Sequence, residues 1–297
     1  MPKSKIKHQS NFPYTLTLTM AWKRLLNIVT KEKHYLIVNK PPGMVCQPNE
    51  KIIESKQQEP ISSKFDPKKK LFFFDVLKRE AEIFKEASAV EIEDWKPIHR
   101  IDACVTGGVL VTKTLSAAQM FSRNLKKRGG KGWPFKRRYL GILSEEIADV
   151  SKRESGIIYI MDKTEKAALT KYKRVQDNLY AFELETGRKH QIRTGCSFGL
   201  RTPLVGDFKY STTQKYFKGL EYGHNVIALH SACVKTKIGG QEEKLHFIPV
   251  PKEVIPLWIP YVNKDGEFHK EILDKLQEDF GESNHKKISL KRLEDSL

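Results

Sequence analysis

Long hydrophobic runs, paired cysteines and, over two stretches, acidic residues are missing from this 297-residue sequence. No apolar run approaches the roughly 18 residues that a membrane-spanning helix needs, which argues against an integral membrane protein. The absence of any Cys-X-X-Cys pair argues against a zinc site and a disulfide framework and favours a reducing compartment. We therefore expect no membrane and no metal among the partners. The widely separated cysteines are Cys46, Cys104, Cys196 and Cys233.

Positive charge dominates, with 53 Lys and Arg against 36 Asp and Glu and a formal net charge of +17. This surplus fits either a basic protein kept soluble by its charge or a protein that binds a polyanion. The acid-free stretch from Lys113 to Ser144 favours a polyanion, because its cations alternate with Trp133, Phe135 and Tyr139. Charge suits phosphates and aromatic rings suit bases, so flexible or flipped-out nucleotides are expected here. The cations are Arg123, Lys126, Lys127, Arg128, Lys131, Lys136, Arg137 and Arg138.

A basic N-terminal arm is predicted over residues 1–33, and its first 31 residues contain no acid. Six cations mix there with Ser and Thr, and Thr19–Leu26 has the pattern of a short amphipathic helix. This composition is typical of a mitochondrial targeting segment. A basic arm that touches RNA in a cytoplasmic protein is the alternative.

Hydrophobic periodicity predicts short strands linked mostly by turns, with a few helices between them. This pattern indicates an α/β (α+β) fold with a mixed, largely antiparallel sheet and flanking helices. We place one catalytic domain at residues 34–280, followed by a polar C-terminal tail at 281–297. Predicted strands are His34–Lys40, Gly108–Thr112, Arg138–Leu143, Ile157–Ile160, Ala168–Val175, Leu179–Leu184, Val226–Leu229 and Leu245–Ile248. Predicted helices are Phe72–Ala87, a helix capped by Thr114 and running to Leu125, His190–Phe198, and helices within Pro251–Phe280.

The most informative segment is His99-Arg100-Ile101-Asp102, which precedes a glycine-containing turn and a buried strand. A carboxylate held on such a turn can act as a nucleophile, a general base or a metal ligand. An aspartate that merely caps the turn is the structural alternative. A protein kinase is excluded, because Ile101 separates Asp102 from Arg100 and the sequence has neither the glycine-rich phosphate loop nor Asp-Phe-Gly.

Two later segments fit the same cleft. Thr186–Arg193 is rich in cations and enters a helix, so it can contact phosphate or reach a catalytic carboxylate. An exposed basic turn is its alternative interpretation. Thr202–Asp207 is predicted to shape the entrance of the cleft.

In order and spacing, these motifs resemble the RluA-type pseudouridine synthases over about residues 34–250. The resemblance implies that Asp102 is the nucleophile, that Tyr139 is the active-site tyrosine and that Arg193 pairs with the aspartate. The matching motifs are Leu36–Gly43, His99–Asp102, Arg137–Gly141, Gly187–Arg193, Pro203–Asp207 and Leu229–Ala232.

The sequence departs from the family pattern in two places. The family usually has Thr-Ser-Gly-Leu after its aspartate, whereas this chain has Val105-Thr106-Gly107-Gly108. Many relatives carry an N-terminal S4-type RNA-binding domain, for which some 33 residues are too few. We therefore expect the catalytic domain itself to contact RNA, chiefly through Arg123–Arg138. The full set of predicted RNA-binding residues is His99, Arg100, Arg123, Lys126, Lys127, Arg128, Lys136, Arg138, Arg188 and His190.

The activity implied by the resemblance is isomerisation of a uridine in structured RNA to pseudouridine. The base leaves its stack, the N1–C1′ bond breaks, the uracil turns over and its C5 bonds to the ribose. We expect no cofactor, and we expect the protein to be a monomer. The sequence leaves open whether the covalent path runs through C1′ or C6. Large mitochondrial ribosomal RNA is the expected substrate and transfer RNA an alternative; rival functions are a non-catalytic RNA-binding protein and a nucleobase glycosidase or hydrolase.

Overall fold

The computed structural model describes residues 24–46, 72–126, 131–161, 166–211, 226–280 and 287–290. Eleven strands within these ranges form one mixed sheet in the order β1-β2-β4-β9-β5-β8-β7-β6-β11, with β3 paired to β4 and β10 to β9. The strands are β1 Asn27–Lys31, β2 Tyr35–Lys40, β3 Lys96–Pro97, β4 Thr106–Thr112, β5 Phe135–Ile142, β6 Ser155–Met161, β7 Ala167–Gln176, β8 Leu179–Leu184, β9 Leu229–Thr236, β10 Lys244–Phe247 and β11 Lys287–Leu290.

Pairing in this sheet is antiparallel except between β4 and β9 and between β6 and β11. This confirms the predicted mixed, largely antiparallel sheet with flanking helices. The helices are α1 Phe73–Ile83, α2 Ala89–Glu93, α3 Leu115–Lys126, α4 Gln191–Thr194, α5 Ile255–Trp258 and α6 Lys270–Gln277, with a π-helical turn at Gly195–Gly199 directly after α4. Among the described residues, no helix is both long and apolar enough to cross a membrane.

Buried hydrophobic side chains form three cores on this sheet, and two of them lie on opposite faces of β5, because successive side chains of a strand point to opposite faces. Tyr139 of β5 belongs to the core that α1 and α2 cover, and we call that side the front face. Leu140 belongs to the core that α5 and α6 cover, on the back face. Apolar burial on both faces stabilises β5 and therefore fixes the direction of each of its side chains.

Helix α3 begins as predicted, since the backbone N–H of Ala117 donates to the Thr114 hydroxyl at 3.2 Å. Its buried side includes Ala118 and Phe121. Leu115, in its first turn, is 57% exposed. The first turn of α3 therefore projects beyond the core.

The predicted N-terminal arm ends earlier than residue 33, because β1 pairs antiparallel with β2. The predicted helix Thr19–Leu26 lies outside the described residues up to Lys23, and its last residues are not helical. Backbone N–H groups of Leu25 and Leu26 donate to the Glu80 carboxylate at 2.6 and 3.2 Å, which ties this segment to α1. β1 is a half-exposed edge strand, so apolar and polar residues alternate only weakly along it. This weak alternation, together with the basic composition, led to its assignment to the N-terminal arm.

Two other boundaries also differ from the prediction. Lys287–Leu290, assigned to the polar tail, forms β11 and pairs in parallel with β6. The strand predicted at Val226–Leu229 begins only at Leu229. The preceding residues are tied to loops instead, for example through Ile227 N–H to Cys104 O at 3.2 Å.

Candidate active site

A cleft of about 1110 Å³ opens on the front face. Three segments line it: the loop before β4, the first half of β5, and the segment that leads from β8 into α4. These segments contain the three motifs that the sequence singled out, and their convergence makes this cleft the candidate active site.

Asp102 lies in the loop between β3 and β4, with 26% of its side chain exposed. A turn is closed behind it by Val105 N–H, which donates to Asp102 O at 3.0 Å. The Ala103 carbonyl accepts hydrogen bonds from Gly43 N–H at 2.8 Å and from Lys40 Nζ at 3.2 Å. These bonds hold the backbone around Asp102 in place while its carboxylate faces the cleft.

Two buried residues support this loop from below. Gly107 has φ +109°, and a Cβ there would lie 2.5 Å from the Ser231 carbonyl oxygen, so only glycine fits. Lys40 also donates to Pro41 O at 2.8 Å, and burial lowers the pKa of its ammonium group to about 8 even though nearby Cys46, Cys104 and Asp102 raise it. Because a side chain at Gly107 would collide with Ser231, the pairing of β4 with β9 requires glycine at this position.

Arg193 connects two aspartates. Its Nη1 lies 3.0 Å from Asp102 Oδ2, and its Nε and Nη2 lie 2.7 and 2.8 Å from the two carboxylate oxygens of Asp207. Burial lowers the pKa of Arg193, but its bonds to Asp207 and Asp102 outweigh burial and raise it above the ordinary value. The fork to Asp207 fixes the guanidinium, and its remaining nitrogen orients Asp102.

The role of Asp207 was not foreseen beyond its place in an entrance loop. It is buried, and its N–H donates to Leu204 O at 3.0 Å within a tight turn. Gly206 in that turn has φ +80°. A short Pro-Leu-Val-Gly-Asp run signals a turn, but only the fold reveals that its carboxylate meets Arg193.

His190 lies behind the same pair, in a left-handed conformation (φ 56°) directly before α4. Its Nε2 is 3.7 Å from Asp102 Oδ2, and its Nδ1 is 2.5 Å from the Tyr210 hydroxyl oxygen. Burial lowers the pKa of this histidine, although Asp102 opposes the shift. Tyr210 also lies under Arg193, whose Cζ is 5.1 Å from the ring centroid. No motif of the sequence predicted a role for this residue.

Tyr139 lines the cleft from β5 and is almost fully buried. Burial raises the pKa of its phenol, which a hydrogen bond with Ser231 and the proximity of Arg137 partly offset. The phenol therefore stays protonated at neutral pH. An aromatic ring next to a carboxylate–arginine pair provides an apolar surface for a flat heterocycle.

The predicted RNA-binding residues divide into different environments. Arg100, Arg123, Lys126 and Lys136 are exposed, and Arg100, Lys126, Lys136 and Arg188 line the cleft. Lys127 and Arg128 lie outside the described residues. The His99 ring accepts a hydrogen bond from Leu110 N–H at 3.1 Å, and burial holds its pKa well below the ordinary value. A neutral His99 therefore supports β4 and carries no charge for a phosphate.

The prediction that Arg138 contacts RNA is wrong. Its side chain is 0% exposed, and its Nε donates to Glu183 Oε2 at 2.7 Å. Nη1 donates to the carbonyl oxygens of Leu276, Gln277 and Glu278 at 2.6, 2.9 and 3.2 Å. Arg138 points to the back face, where it caps the C-terminal end of α6.

Two aromatic residues of the same segment are also structural. Phe135 is buried and packs against Phe121, with ring centroids 6.0 Å apart. Trp133 packs against Phe121 and His34, with centroids 5.2 Å away in each case. Trp133 therefore packs within the fold, whereas Phe135 packs within the fold and also lines the cleft with Tyr139.

Among the described residues, no group of three or more His, Cys, Asp or Glu side chains is arranged to hold a metal ion. The cleft brings together the carboxylate of Asp102, the guanidinium of Arg193 and the phenol of Tyr139.

Comparison with known proteins identifies the family. Residues 34–198 match the family model described as RNA pseudouridylate synthase. The chain is 34% identical over 268 residues to the 21S rRNA pseudouridine(2819) synthase of Saccharomyces cerevisiae, covering 88% of this chain and 99% of that protein. It is also 34% identical to the protein of the same name from Eremothecium gossypii, covering 84% and 87%.

The fold is also that of a solved structure, "Human RNA Pseudouridylate Synthase Domain Containing 4", which superposes with a TM-score of 0.54 at 19% identity over 78% of this chain and 92% of that one. The sequence matches cover all three motif segments of the cleft, up to the α4 residues that hold Arg193. The chain therefore belongs to the RNA pseudouridylate synthase family and is a pseudouridine synthase, an isomerase that acts on RNA.

Proposed function

We propose that this protein isomerises a specific uridine of the large mitochondrial ribosomal RNA to pseudouridine, with Asp102 as the nucleophile. The contact of 3.0 Å between Arg193 Nη1 and Asp102 Oδ2 carries the assignment of the site. The choice of RNA follows from two relatives that are named 21S rRNA pseudouridine(2819) synthases.

Asp102 suits the first step by both charge and placement. Glycosidic cleavage builds positive charge on the ribose, and a carboxylate can capture or relieve that charge. Arg193 donates to one oxygen of Asp102 and fixes the orientation of its carboxylate. Since Asp207 occupies the other edge of the same guanidinium, the arginine cannot turn away.

Tyr139 suits the step in which the uracil turns over. The target uridine must leave its stack, and stacking on an aromatic ring offsets part of that cost. The ring of Tyr139 lines the cleft that contains Asp102. We propose that it stacks on the detached base while C5 turns toward the ribose. Once the C5–C1′ bond has replaced the N1–C1′ bond, the C5 proton leaves and N1 takes up a proton, so the composition of the nucleotide is unchanged.

The reaction rearranges bonds within one nucleotide, so its stoichiometry needs no external electron or group donor. One chain contains Asp102, Tyr139 and Arg193 in a single cleft. We propose that a monomer carries out the isomerisation without a metal or other cofactor.

Mapping of pseudouridine in cells tests the choice of RNA. In cells that lack this protein, we expect one position of the large mitochondrial ribosomal RNA to remain uridine, and re-expression should restore it. Loss of pseudouridine from a transfer RNA, with the ribosomal RNA unchanged, would contradict the proposed substrate but not the proposed reaction.

A mitochondrial location is proposed on the basic composition of residues 1–23 and on the substrate. A deletion that tests this location must stop at residue 23. A deletion that extended to residue 31 would also remove β1, which is an edge strand of the sheet. A reporter fused to residues 1–23 should enter mitochondria. A reporter that stays in the cytosol would contradict this address.

A further inference from the structure

Arg137 is a charged side chain of the cleft that the reaction above does not use. It lies two residues before Tyr139 on β5 and therefore points to the same, front face of the sheet. The residue is 7% exposed and lines the cleft together with Asp102 and Tyr139.

No anionic partner for Arg137 exists among the described residues. Its Nε is buried with no hydrogen-bond partner, and no described carboxylate lies within ion-pair distance of its guanidinium. Its Cζ lies 5.7 Å from the Phe135 ring centroid, which is a loose contact. Burial lowers the pKa of Arg137, yet an arginine guanidinium remains charged at neutral pH.

The guanidinium of Arg137 lies beside Gly187, and both residues line the cleft. Its Nη1 and Nη2 lie 3.4 and 3.6 Å from the position that a Cβ would take on Gly187, at the start of the Gly187–Arg193 motif. The same wall of the cleft includes Arg188 and Lys136. A buried charge without a partner is costly, and a site that retains one is suited to an anion that arrives with the substrate.

We propose that Arg137 binds a phosphate of the RNA strand that carries the target uridine, so that the ribose is held between Arg137 and Asp102. This inference rests on the proposed function and specifies how the substrate is held in the same cleft. A phosphodiester provides two oxygens for the planar guanidinium fork, and its charge compensates the buried cation. Arg137 is thus a substrate-binding residue, and Asp102 carries the chemistry.

The test compares Arg137→Gln, Arg137→Lys and the control Lys270→Gln, which removes an exposed cation from α6 on the back face. Binding of a short uridine-containing single-stranded RNA is measured over a range of salt concentrations. We expect Arg137→Gln to weaken binding about tenfold or more and to flatten the salt slope by about 0.7, the value for one lost contact with a single strand. Arg137→Lys should bind with intermediate affinity, and Lys270→Gln should bind like the wild type.

Two further readouts separate binding from structure and relate binding to catalysis. Arg137→Gln should melt at or above the wild-type temperature, because it removes an uncompensated buried charge; a lower melting temperature together with unchanged binding would mean a structural role. With saturating enzyme and a transcript of the large mitochondrial ribosomal RNA, its single-turnover rate should also fall, because the ribose is no longer held against Asp102, whereas Lys270→Gln should keep the wild-type rate.

An affinity and a salt slope equal to those of the wild type would overturn the role of Arg137. The binding measurement does not require the correct target uridine, so it is informative on any RNA. If the wild type binds RNA but makes no pseudouridine in the mitochondrial transcript, the proposed substrate fails and the inference about Arg137 is still decided by the binding data.

Discussion

Arg137 and Arg138 are neighbours on β5, yet they lie on opposite faces of the sheet in opposite electrostatic environments. Arg138 faces the back, where Glu183 and the last carbonyls of α6 bind its guanidinium. Arg137 faces the front cleft and has no carboxylate partner among the described residues. Arg138, which stabilises the fold, has its charge compensated by groups of the fold. Arg137, which faces the cleft, has a charge that a bound substrate can compensate.

The front face repeats this contrast around Asp102. Asp207 is buried and bound through both oxygens to Arg193, so it has a structural environment. Asp102 shares the same arginine through one oxygen only, and its side chain is 26% exposed to the cleft. Changes on the back face should therefore reduce stability, and changes on the front face should reduce activity.

The largest expected effect is that of Arg138→Met. This variant leaves the buried Glu183 with only the half-exposed Lys136, whose Nζ lies 3.3 Å from Oε1, and removes its buried partner, which costs up to about 3–5 kcal/mol of unfolding free energy. Urea unfolding measures the loss, and Arg138→Met combined with Glu183→Leu should recover part of it. A variant as stable as the wild type but weakened in RNA binding would mean that Arg138 faces the substrate after all.

The next effect is a pH dependence from His230 at the junction of β4 and β9. Burial lowers the pKa of His230 from 6.5 to about 4, and the ring hydrogen-bonds Thr106 and Ile248. The unfolded chain therefore binds one more proton between these pH values. The contribution of the neutral His230 ring to the free energy of unfolding is complete above pH 6.5. Up to about 3 kcal/mol of this free energy is lost as the pH falls from 6.5 to 4.

Unfolding free energies of wild type and His230→Gln, measured from pH 4 to pH 8, test this contribution. The wild-type curve should fall more steeply on the acid side, because the variant lacks the titrating ring. Parallel curves would show that His230 does not stay neutral in the folded protein.

On the front face, Asp207→Asn should lower the single-turnover rate by about 100-fold, equivalent to about 2.7 kcal/mol of barrier. Without the Asp207 carboxylate, the guanidinium of Arg193 is no longer held in place, so it no longer fixes the orientation of Asp102. Arg193→Lys should also be impaired, since lysine keeps the charge without the fork. The exposed Asp265→Asn is the control, and an active Asp207→Asn enzyme would remove Asp207 from the account.

The smallest effect is expected for Lys126, an exposed cation that lines the cleft, and for Lys127 and Arg128, which follow it in the sequence. Replacement of Lys126, Lys127 and Arg128 by Ala should flatten the salt slope of RNA binding by up to about 0.7–0.9 for each lost phosphate contact. The rate on bound RNA should change little. An unchanged slope would mean that these cations face only solvent.

The motifs allowed the site to be predicted more completely than the electrostatics around it. The pairing of Arg193 with Asp102 followed from the family resemblance, and β8 has the predicted bounds Leu179–Leu184. The direction of Arg138 could not be predicted, because β5 is buried on both faces and its hydrophobic pattern does not alternate. Asp207 and Tyr210 reach the site only through long-range folding, which no local pattern records.

The edge strands were missed for a related reason. Sequences of β1 and β11 are short and carry lysine, as edge strands commonly do to avoid unwanted pairing. The same composition is typical of a basic arm or a polar tail. Only the pairing partners, β2 and β6, distinguish the two interpretations.

The most direct test of the central claim is single-turnover pseudouridine formation by Asp102→Asn. Asparagine keeps the size of the side chain and caps turns nearly as well, so a purely structural Asp102 would cost about 1 kcal/mol or less and leave turnover largely intact. We predict a folded variant that binds a transcript of the large mitochondrial ribosomal RNA near normally and makes no detectable pseudouridine where the wild type does. Measurable pseudouridine from the purified, folded variant would contradict the assignment of Asp102 as the nucleophile.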